Sequence, residues 1–429
     1  MILARFHFLF RLAIFVLTLS LFTSLALAAT PVLLIGPDLK PRLVNLQAMG
    51  GGRMTYFDDQ RNMQVQSTSD VLQVRFPKES DTTKSAGFID APELELTQTR
   101  TTVEVPEKGT LLLGGSRLIP GPPLAFIELI SGQRIVAVYT GAKADGQTLL
   151  FKHDLLGELA IALDQVSRLS FARLSNEGAM VSSATPTSDQ VEMTNGDVVT
   201  GFVISIKDAG IEVQQGDAKP FTLPRDRVKA IRLANPVTRA AGKQSMVWLR
   251  DGSRIASSDV SISADKLTLD SSLAALKEKQ TMAIDLKQIA RIELASPSGQ
   301  LIDLADLPMT VTEGGKVFGV TMEPRIEGDA IRLHAPITVS FSLPAKAARF
   351  AAVAQLDVEN ENPSLAHFII TIDTTSLTAA RHVITAKTPR ADINAALTGN
   401  TLIITLDPAR NGPVLDRLRL TDAVIFVER

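Results

Sequence analysis

The amino-acid sequence predicts an all-β protein built from small modules in tandem, and three observations carry that reading. Apolar and polar residues alternate in many short runs, as in Ile337, Val339, Phe341 and Leu343 set against Thr338, Ser340 and Ser342. This is the pattern of a strand with one face in a core. A glycine turn that launches a strand recurs at Gly132, Gly196 and Gly252, which lie 64 and 56 residues apart. Helical periodicity is scarce, with residues 272–279 and 301–307 as the segments that suggest a helical turn or two.

The N-terminal segment comes first. Arg5 and Arg11 make a short basic start, residues 12–25 form a mostly apolar run, and Ala26-Leu27-Ala28 closes it with a small-x-small pattern. The expectation is a signal peptide over 1–28 and an exported chain, in the periplasm, in the cell envelope or outside the cell. A retained anchor is the alternative, but Thr18, Ser20, Thr23 and Ser24 interrupt a run shorter than the ~20 residues a span needs. No later stretch is long and apolar enough to cross a membrane, so no transmembrane domain is expected after cleavage.

Composition narrows the function. The chain has 429 residues, enough for two to four domains at about 100–200 residues each. It has no cysteine, so neither disulfides nor an acylated cysteine are available and the cores alone must hold it together. The formal net charge of −2 becomes −4 once Arg5 and Arg11 are removed, which argues against nucleic acid and anionic membrane surfaces as partners.

Polar, turn-rich linkers at residues 77–93, 175–188, 235–244 and 296–300 divide the remainder. Residues 29–110 form an N-terminal β region with Gly50-Gly51-Gly52 at a turn, a candidate diverged copy of the three repeats that come after it in the chain. Those repeats are expected at 124–175, 189–235 and 245–296. Each begins with an apolar strand, turns at Ser131-Gly132, Asn195-Gly196 or Asp251-Gly252, and ends on Asp164-Gln165-Val166, Asp226-Arg227-Val228 or Lys287-Gln288-Ile289. Asn-Gly and Asp-Gly supply the positive φ angles of a tight hairpin. About five short strands per unit suit a small, strongly bent barrel. Over residues 124–295 this pattern resembles the Sm-like small β-barrel repeats of large exported bacterial proteins. The RNA binding of true Sm proteins does not carry over, given the export signal and the acidic balance.

Residues 301–429 have a different texture. The order runs from Leu301-Ile302-Asp303-Leu304 through Ile331-Arg332-Leu333-His334 and the strand ending at Leu343. It continues with Arg349–Asp357, Phe368-Ile369-Ile370-Thr371-Ile372-Asp373, a strand over 401–406, and Asp416-Arg417-Leu418 near the end. This order resembles the NPCBM module, the carbohydrate-binding module associated with glycosyl hydrolase family 98. The resemblance implies a galactose-binding-like (jelly-roll) β-sandwich, a polysaccharide or glycan partner, and His334, Asp357, Asp373 and Asp416 as binding residues. Three departures stand against it: Leu333 precedes His334 where the family has glycine, Thr374 follows Asp373 where it has glycine, and the C-terminal tryptophan is missing. Trp248, Tyr56 and Tyr139 all lie outside this module, which leaves Phe318, Phe341, Phe350, Phe368 and Phe426 to face a pyranose. The departures favour the alternative, a structural or protein-interaction scaffold that contacts other envelope proteins.

Chemistry beyond binding finds little support. His153, His334, His367 and His382 show no metal-ligand spacing. The loop carrying Asp357, Glu359 and Glu361 offers the oxygens that calcium takes, although a solvated hairpin tip has the same composition. No other cofactor is expected. There is no Gly-x-Ser-x-Gly elbow, no His-Glu-x-x-His and no phosphate loop, so the chain is not read as an enzyme. Trp248, on an alternating strand before a tight turn, is read as a core or interface residue rather than a ligand platform.

Overall fold

A computed structural model describes residues 29–77, 124–172, 186–236, 244–271, 281–317, 320–327, 330–357, 366–374, 378–409, 412 and 416–429. The expected signal peptide, the helical turn at 272–279, Phe318, Glu359 and Glu361 lie outside them. The described residues are strands and loops, and their helical pieces are 3₁₀ turns of three residues. None of their helices is long and apolar enough to cross a membrane.

The first twenty strands fall into four groups of five. The first holds β1 (Thr30–Ile35), β2 (Pro41–Gly50), β3 (Arg53–Phe57), β4 (Met63–Ser67) and β5 (Gln73–Arg75). The second holds β6 (Leu124–Leu129), β7 (Arg134–Ala142), β8 (Thr148–His153), β9 (Gly157–Ala162) and β10 (Val166–Ala172). The third holds β11 (Asp189–Met193), β12 (Val198–Ile206), β13 (Gly210–Gln214), β14 (Phe221–Pro224) and β15 (Val228–Arg232). The fourth holds β16 (Ser245–Leu249), β17 (Arg254–Ser263), β18 (Lys266–Ser271), β19 (Thr281–Asp285) and β20 (Ile289–Glu293). In every group the first four strands form successive hairpins and the fifth pairs back onto the first.

Two local features bend each group into a barrel-like unit. The second strand is the longest or equal longest, and its pairing with the third breaks register at Leu46/Ala48, Tyr139/Gly141, Val203/Ser205 and Ser257/Val260. A bulge there raises the local twist, so one strand serves both sides of the unit. A 3₁₀ turn precedes the fifth strand, at Thr68–Asp70, Leu163–Gln165, Arg225–Arg227 and Leu286–Gln288. The glycines read as turns adopt left-handed φ angles of 82° at Gly132 and 91° at both Gly196 and Gly252. Fifth strands then join the units in pairs, β5 with β20 and β10 with β15, both antiparallel.

A jelly-roll β-sandwich completes the chain. One sheet runs β25 (Arg325–Glu327), β26 (Ala330–His334), β33 (Arg417–Glu428), β28 (Ala347–Leu356) and β31 (Arg390–Ala396), with β21 (Gly299–Asp303) also on β33. The other runs β22 (Met309–Gly314), β27 (Ile337–Ser342), β32 (Thr401–Pro408), β29 (His367–Thr374) and β30 (Thr378–Thr385). A small β23–β24 pair (Lys316–Val317 and Val320–Thr321) stands apart. The alternation expected at 337–343 holds: Ile337, Val339 and Phe341 are in the core and the intervening residues face out. At 301–307 the helical expectation fails over its first half. Strand pairing of residues 299–303 with β33 takes those backbone groups, and a single 3₁₀ turn, Leu304–Asp306, remains.

The sandwich is not free-standing. The outward faces of Ala351, Val353, Val424 and Phe426 pack against Ile35, Leu39 and Leu72 of the first unit in a cluster of their own. This explains why β33 is buried on both faces through Ala423–Val427. Beside that seal lies a buried ionic network. Asp422 Oδ1 is 2.6 Å from Arg75 Nη1, and Asp303 Oδ1 is 2.9 Å from Arg291 Nη2. Arg254 reaches Asp306 at 3.0 Å, and Arg291 Nε reaches Glu293 at 3.3 Å. Asp422 sits at φ 51°, next to the break in β28–β33 register, so a bulge turns its side chain toward the barrels. Trp248 is held between the guanidiniums of Arg291 and Arg254, at 3.7 and 4.9 Å from its ring centroid. It is an interface residue and offers no platform to a ligand. Burial, with the Asp303 carboxylate close by, pushes Glu293 up to about 7.

Candidate functional site

Three of the four candidate glycan residues meet at one end of the sandwich, where the chain passes from β26 to β27 and enters β33. His334 closes β26 and lies opposite Arg417 in the ladder. Its Nδ1 is 2.8 Å from the Ala335 carbonyl oxygen, so Nδ1 carries the proton and donates. Asp416 immediately precedes β33 and clasps both sheets: its main-chain oxygen accepts from Ala335 N–H at 3.0 Å, and its carboxylate Oδ1 accepts from His367 N–H at 2.9 Å. Asp357 joins them through its own N–H, which donates to the Arg417 carbonyl at 2.9 Å. Its carboxylate lies 3.4 Å from Arg332 Nε.

Asp373 does not join this group. It lies six residues beyond His367 on β29, about 20 Å along a strand, and alternation puts it on the outer face of the other sheet. Asp357 carries a guanidinium neighbour where calcium would need the same oxygens, and Glu359 and Glu361 fall outside the described residues. Among the described residues no group of three or more His, Cys, Asp or Glu is arranged to hold a metal.

Asp416 is the chemically distinctive member. It is fully buried, and Oδ2 has no hydrogen-bond partner among the described residues. Burial raises its pKa above the usual carboxylate range, and the His367 N–H and the nearby His334 and His367 rings offset part of that. Arg332, Arg417 and His367 were missed as members of this end. Arg332 had a signal: it shares parity with His334 on β26, opposite the core residues Ile331 and Leu333. Among the described residues no aromatic face accompanies the polar set, because Phe341, Phe350, Phe368 and Phe426 are all buried.

Elsewhere, Ser253, His153 and Asp251 have the residue types of a hydrolytic triad but not its wiring. Ser253 Oγ and Asp251 Oδ2 approach the same ring nitrogen, His153 Nε2, at 3.1 and 3.0 Å. Nδ1 accepts the N–H groups of Leu155 and Leu156 at 3.0 and 3.3 Å. With Nδ1 accepting, Nε2 holds the proton and cannot take one from serine. Ser253 is also fully buried and accepts the Val136 N–H at 3.0 Å. The set is a polar pin between the second and fourth units.

No protein-family model matches the chain. No curated protein matches it either. Among solved structures, similarity is found to the CBM51-2 and INT domains of Clostridium perfringens ZmpB, at 13% identity and a TM-score of 0.25, covering 39% of each chain. It is also found to the CBM51 of Clostridium perfringens GH95 in complex with methyl-galactose, at 15% identity and a TM-score of 0.20, covering 30% of this chain and 88% of that one. The tandem CBM51 modules of a Streptococcus pneumoniae family 98 glycoside hydrolase match at 10% identity and a TM-score of 0.23, covering 70% of this chain and 88% of theirs. The chain spans about 39% of the length of the first of these. Likeness at this level transfers no functional residue.

Proposed function

We propose that the chain is an exported, non-catalytic glycan-binding protein of the cell envelope whose ligand site lies at the His334–Asp416 end of the C-terminal sandwich. One observation carries this reading: the buried Asp416 carboxylate keeps an unpartnered oxygen beside His334, in a setting that also holds Arg332, Asp357 and Arg417. An unmet buried acceptor costs about 1–3 kcal/mol. A sugar hydroxyl is a neutral donor of the right kind to meet it. Residues 29–110 are read as an N-terminal β region, a candidate diverged repeat, and 124–175, 189–235 and 245–296 as Sm-like barrel repeats that mount the sandwich. Export rests on Arg5, Arg11 and the Ala26-Leu27-Ala28 pattern. Calcium is given no part, since Arg332 already neutralises Asp357.

The test uses the mature chain, 29–429, against a panel of glycans and insoluble polysaccharides, with and without a chelator, beside Asp416→Asn and His334→Ala. Saturable binding that survives the chelator and falls about tenfold in Asp416→Asn, as loss of one charged hydrogen bond implies, is the expected result. Binding unchanged in Asp416→Asn, or no binding to any glycan, would sink the proposal. A second reading, a scaffold for other envelope proteins, draws on the burial of Phe341, Phe350, Phe368 and Phe426 in the sandwich and on the sealed outer face of the β33 sheet. Cross-linking to a protein partner with no glycan bound would select it.

A further inference from the structure

A groove of about 780 Å³ runs between the second and third barrel-like units, far in sequence from the sandwich. Its size is within the range of pockets that hold small ligands. Phe202 on β12 lines it and is 66% exposed, more than any other phenylalanine among the described residues. The side-chain amides of Gln147, Gln214, Gln215 and Asn235 line it as well. We propose that this groove is a binding site for an uncharged, hydroxyl-rich chain, a neutral oligosaccharide, with Phe202 stacking on a pyranose face and the four amide oxygens accepting from its hydroxyls.

The wiring of the amides is the second, independent observation. Each spends its NH₂ on a main-chain carbonyl: Gln147 on Ile204, Gln214 on Gly216 at 3.3 Å, Gln215 on Thr200 at 3.0 Å, and Asn235 on Leu163 and Val166 at 3.0 and 2.7 Å. A carbonyl can only accept, so the orientation of every amide follows from its partner. Each amide oxygen is thereby left without a hydrogen-bond donor among the described residues, while the NH₂ end of each side chain is tethered to the main chain. Tethering of this kind lowers the ordering cost that weak ligands otherwise meet on binding.

Charge decides the ligand class. No lysine or arginine among the described residues lines the groove, which disfavours phosphate, nucleic acid and acidic polysaccharide. Of the two carboxylates in the lining, Asp189 is occupied, with Oδ2 accepting the Val203 N–H at 2.8 Å and Oδ1 the Ala234 N–H at 2.7 Å, while Asp164 is exposed and its charge likewise disfavours an acidic ligand. An extended peptide would present alternating donors and acceptors and would need a strand edge, yet β12 pairs with β11 over Val198–Gly201 and with β13 over Phe202–Ile206, and beside the groove its Val203 N–H is taken by Asp189, its Ile204 carbonyl by Gln147 and its Thr200 carbonyl by Gln215. The groove is held open by the β10–β15 ladder and by Arg225 of the third unit, stacked 4.5 Å over Tyr139 of the second.

The experiment is calorimetric titration of residues 29–429 with neutral hexasaccharides of glucose, galactose and N-acetylglucosamine, and with uncharged extended peptides as the contrasting class. Phe202→Ala and Gln215→Leu change exposed side chains, and thermal melting checks that both remain folded. Saturable binding of a neutral hexasaccharide, weakened about tenfold by Phe202→Ala, weakened also by Gln215→Leu and unchanged by Asp416→Asn, is the expected result. No hexasaccharide binding, a preference for the peptides, or binding that Asp416→Asn abolishes and Phe202→Ala leaves intact would each overturn it. The last outcome would assign the ligand to the sandwich alone, so the two sites stand or fall separately.

Discussion

Replacing Asp422 by Asn tests whether the ionic network welds the sandwich to the barrels. Asp422 belongs to β33, Arg75 to the first unit and Arg291 to the fourth, so one carboxylate ties three parts of the fold. The side chains of Asp422 and Arg75 are 2% and 5% exposed, too little for salt to screen them well. Asn keeps the shape and removes the charge, which leaves the buried Arg75 guanidinium without the carboxylate 2.6 Å from it. Removing one partner of a buried pair costs about 3–5 kcal/mol. Arg291 is protected from the same fate, because Asp303 still holds it at 2.9 Å. The assay is urea unfolding of residues 29–429, followed by circular dichroism and by fluorescence of Trp248. That residue is the chain's single tryptophan and sits against Arg291 in the network. The expected result is an earlier midpoint, with the tryptophan signal moving ahead of the loss of β-structure. Arg75→Met combined with Asp422→Leu should recover most of the loss, since apolar replacements strand no charge. Superimposable curves for Asp422→Asn and the parent would refute the reasoning.

Two further outcomes are expected. The folded-state pKa of Glu293 lies above its unfolded value of 4.5, at about 7, so its contribution to stability is full below about pH 4.5 and is lost as pH rises to about 7. Glu293→Gln should flatten the urea midpoint against pH across that window, and an unchanged slope would remove Glu293 as the cause. A Cβ at Gly299 would run into the Phe426 ring and the Val427 carbonyl, so Gly299→Ala should unpair β21 from β33 at a cost of about 1–3 kcal/mol. A urea midpoint equal to that of the parent would show that β21 can shift without penalty.

The all-β character was legible because period-two alternation is a local signal: Ile337, Val339 and Phe341 could point to a core in no other regular structure. The turns at Gly132, Gly196 and Gly252 were legible for a different local reason, the left-handed backbone that glycine adopts without strain. What alternation cannot say is which strand lies beside which. The β5–β20 and β10–β15 ladders join segments far apart in sequence whose apolar patterns would suit many partners. Nothing local in the sequence marks Arg75, Arg254, Arg291 and Asp422 for burial, because the charged partner of each lies on another element of the fold. For the candidate site the limit was distance along the strand. Parity places Asp373 on an outer face, but only the register of β29 shows that it lies at the far end from Asp416.

These long-range contacts constrain where a ligand can bind. A β-sandwich has two outer faces and two ends, and here one face is consumed: Ala351, Val353, Val424 and Phe426 are sealed beneath Ile35, Leu39 and Leu72. A sandwich cut free at residue 301 would expose that apolar face, break β21, and lose Asp303 and Asp422 their barrel-borne arginines. Its behaviour would report on the damage as much as on binding, so glycan binding has to be read in residues 29–429 together. The same coupling fixes the relation between the two candidate sites. The β10–β15 ladder joins the third unit to the second, the Arg134–Arg254 strand pair and the His153 pin join the second to the fourth, and the network around Trp248 joins the fourth to β33. A glycan chain that engaged both sites would therefore meet them on a preorganised frame, and the second contact would be intramolecular without a flexible linker to order.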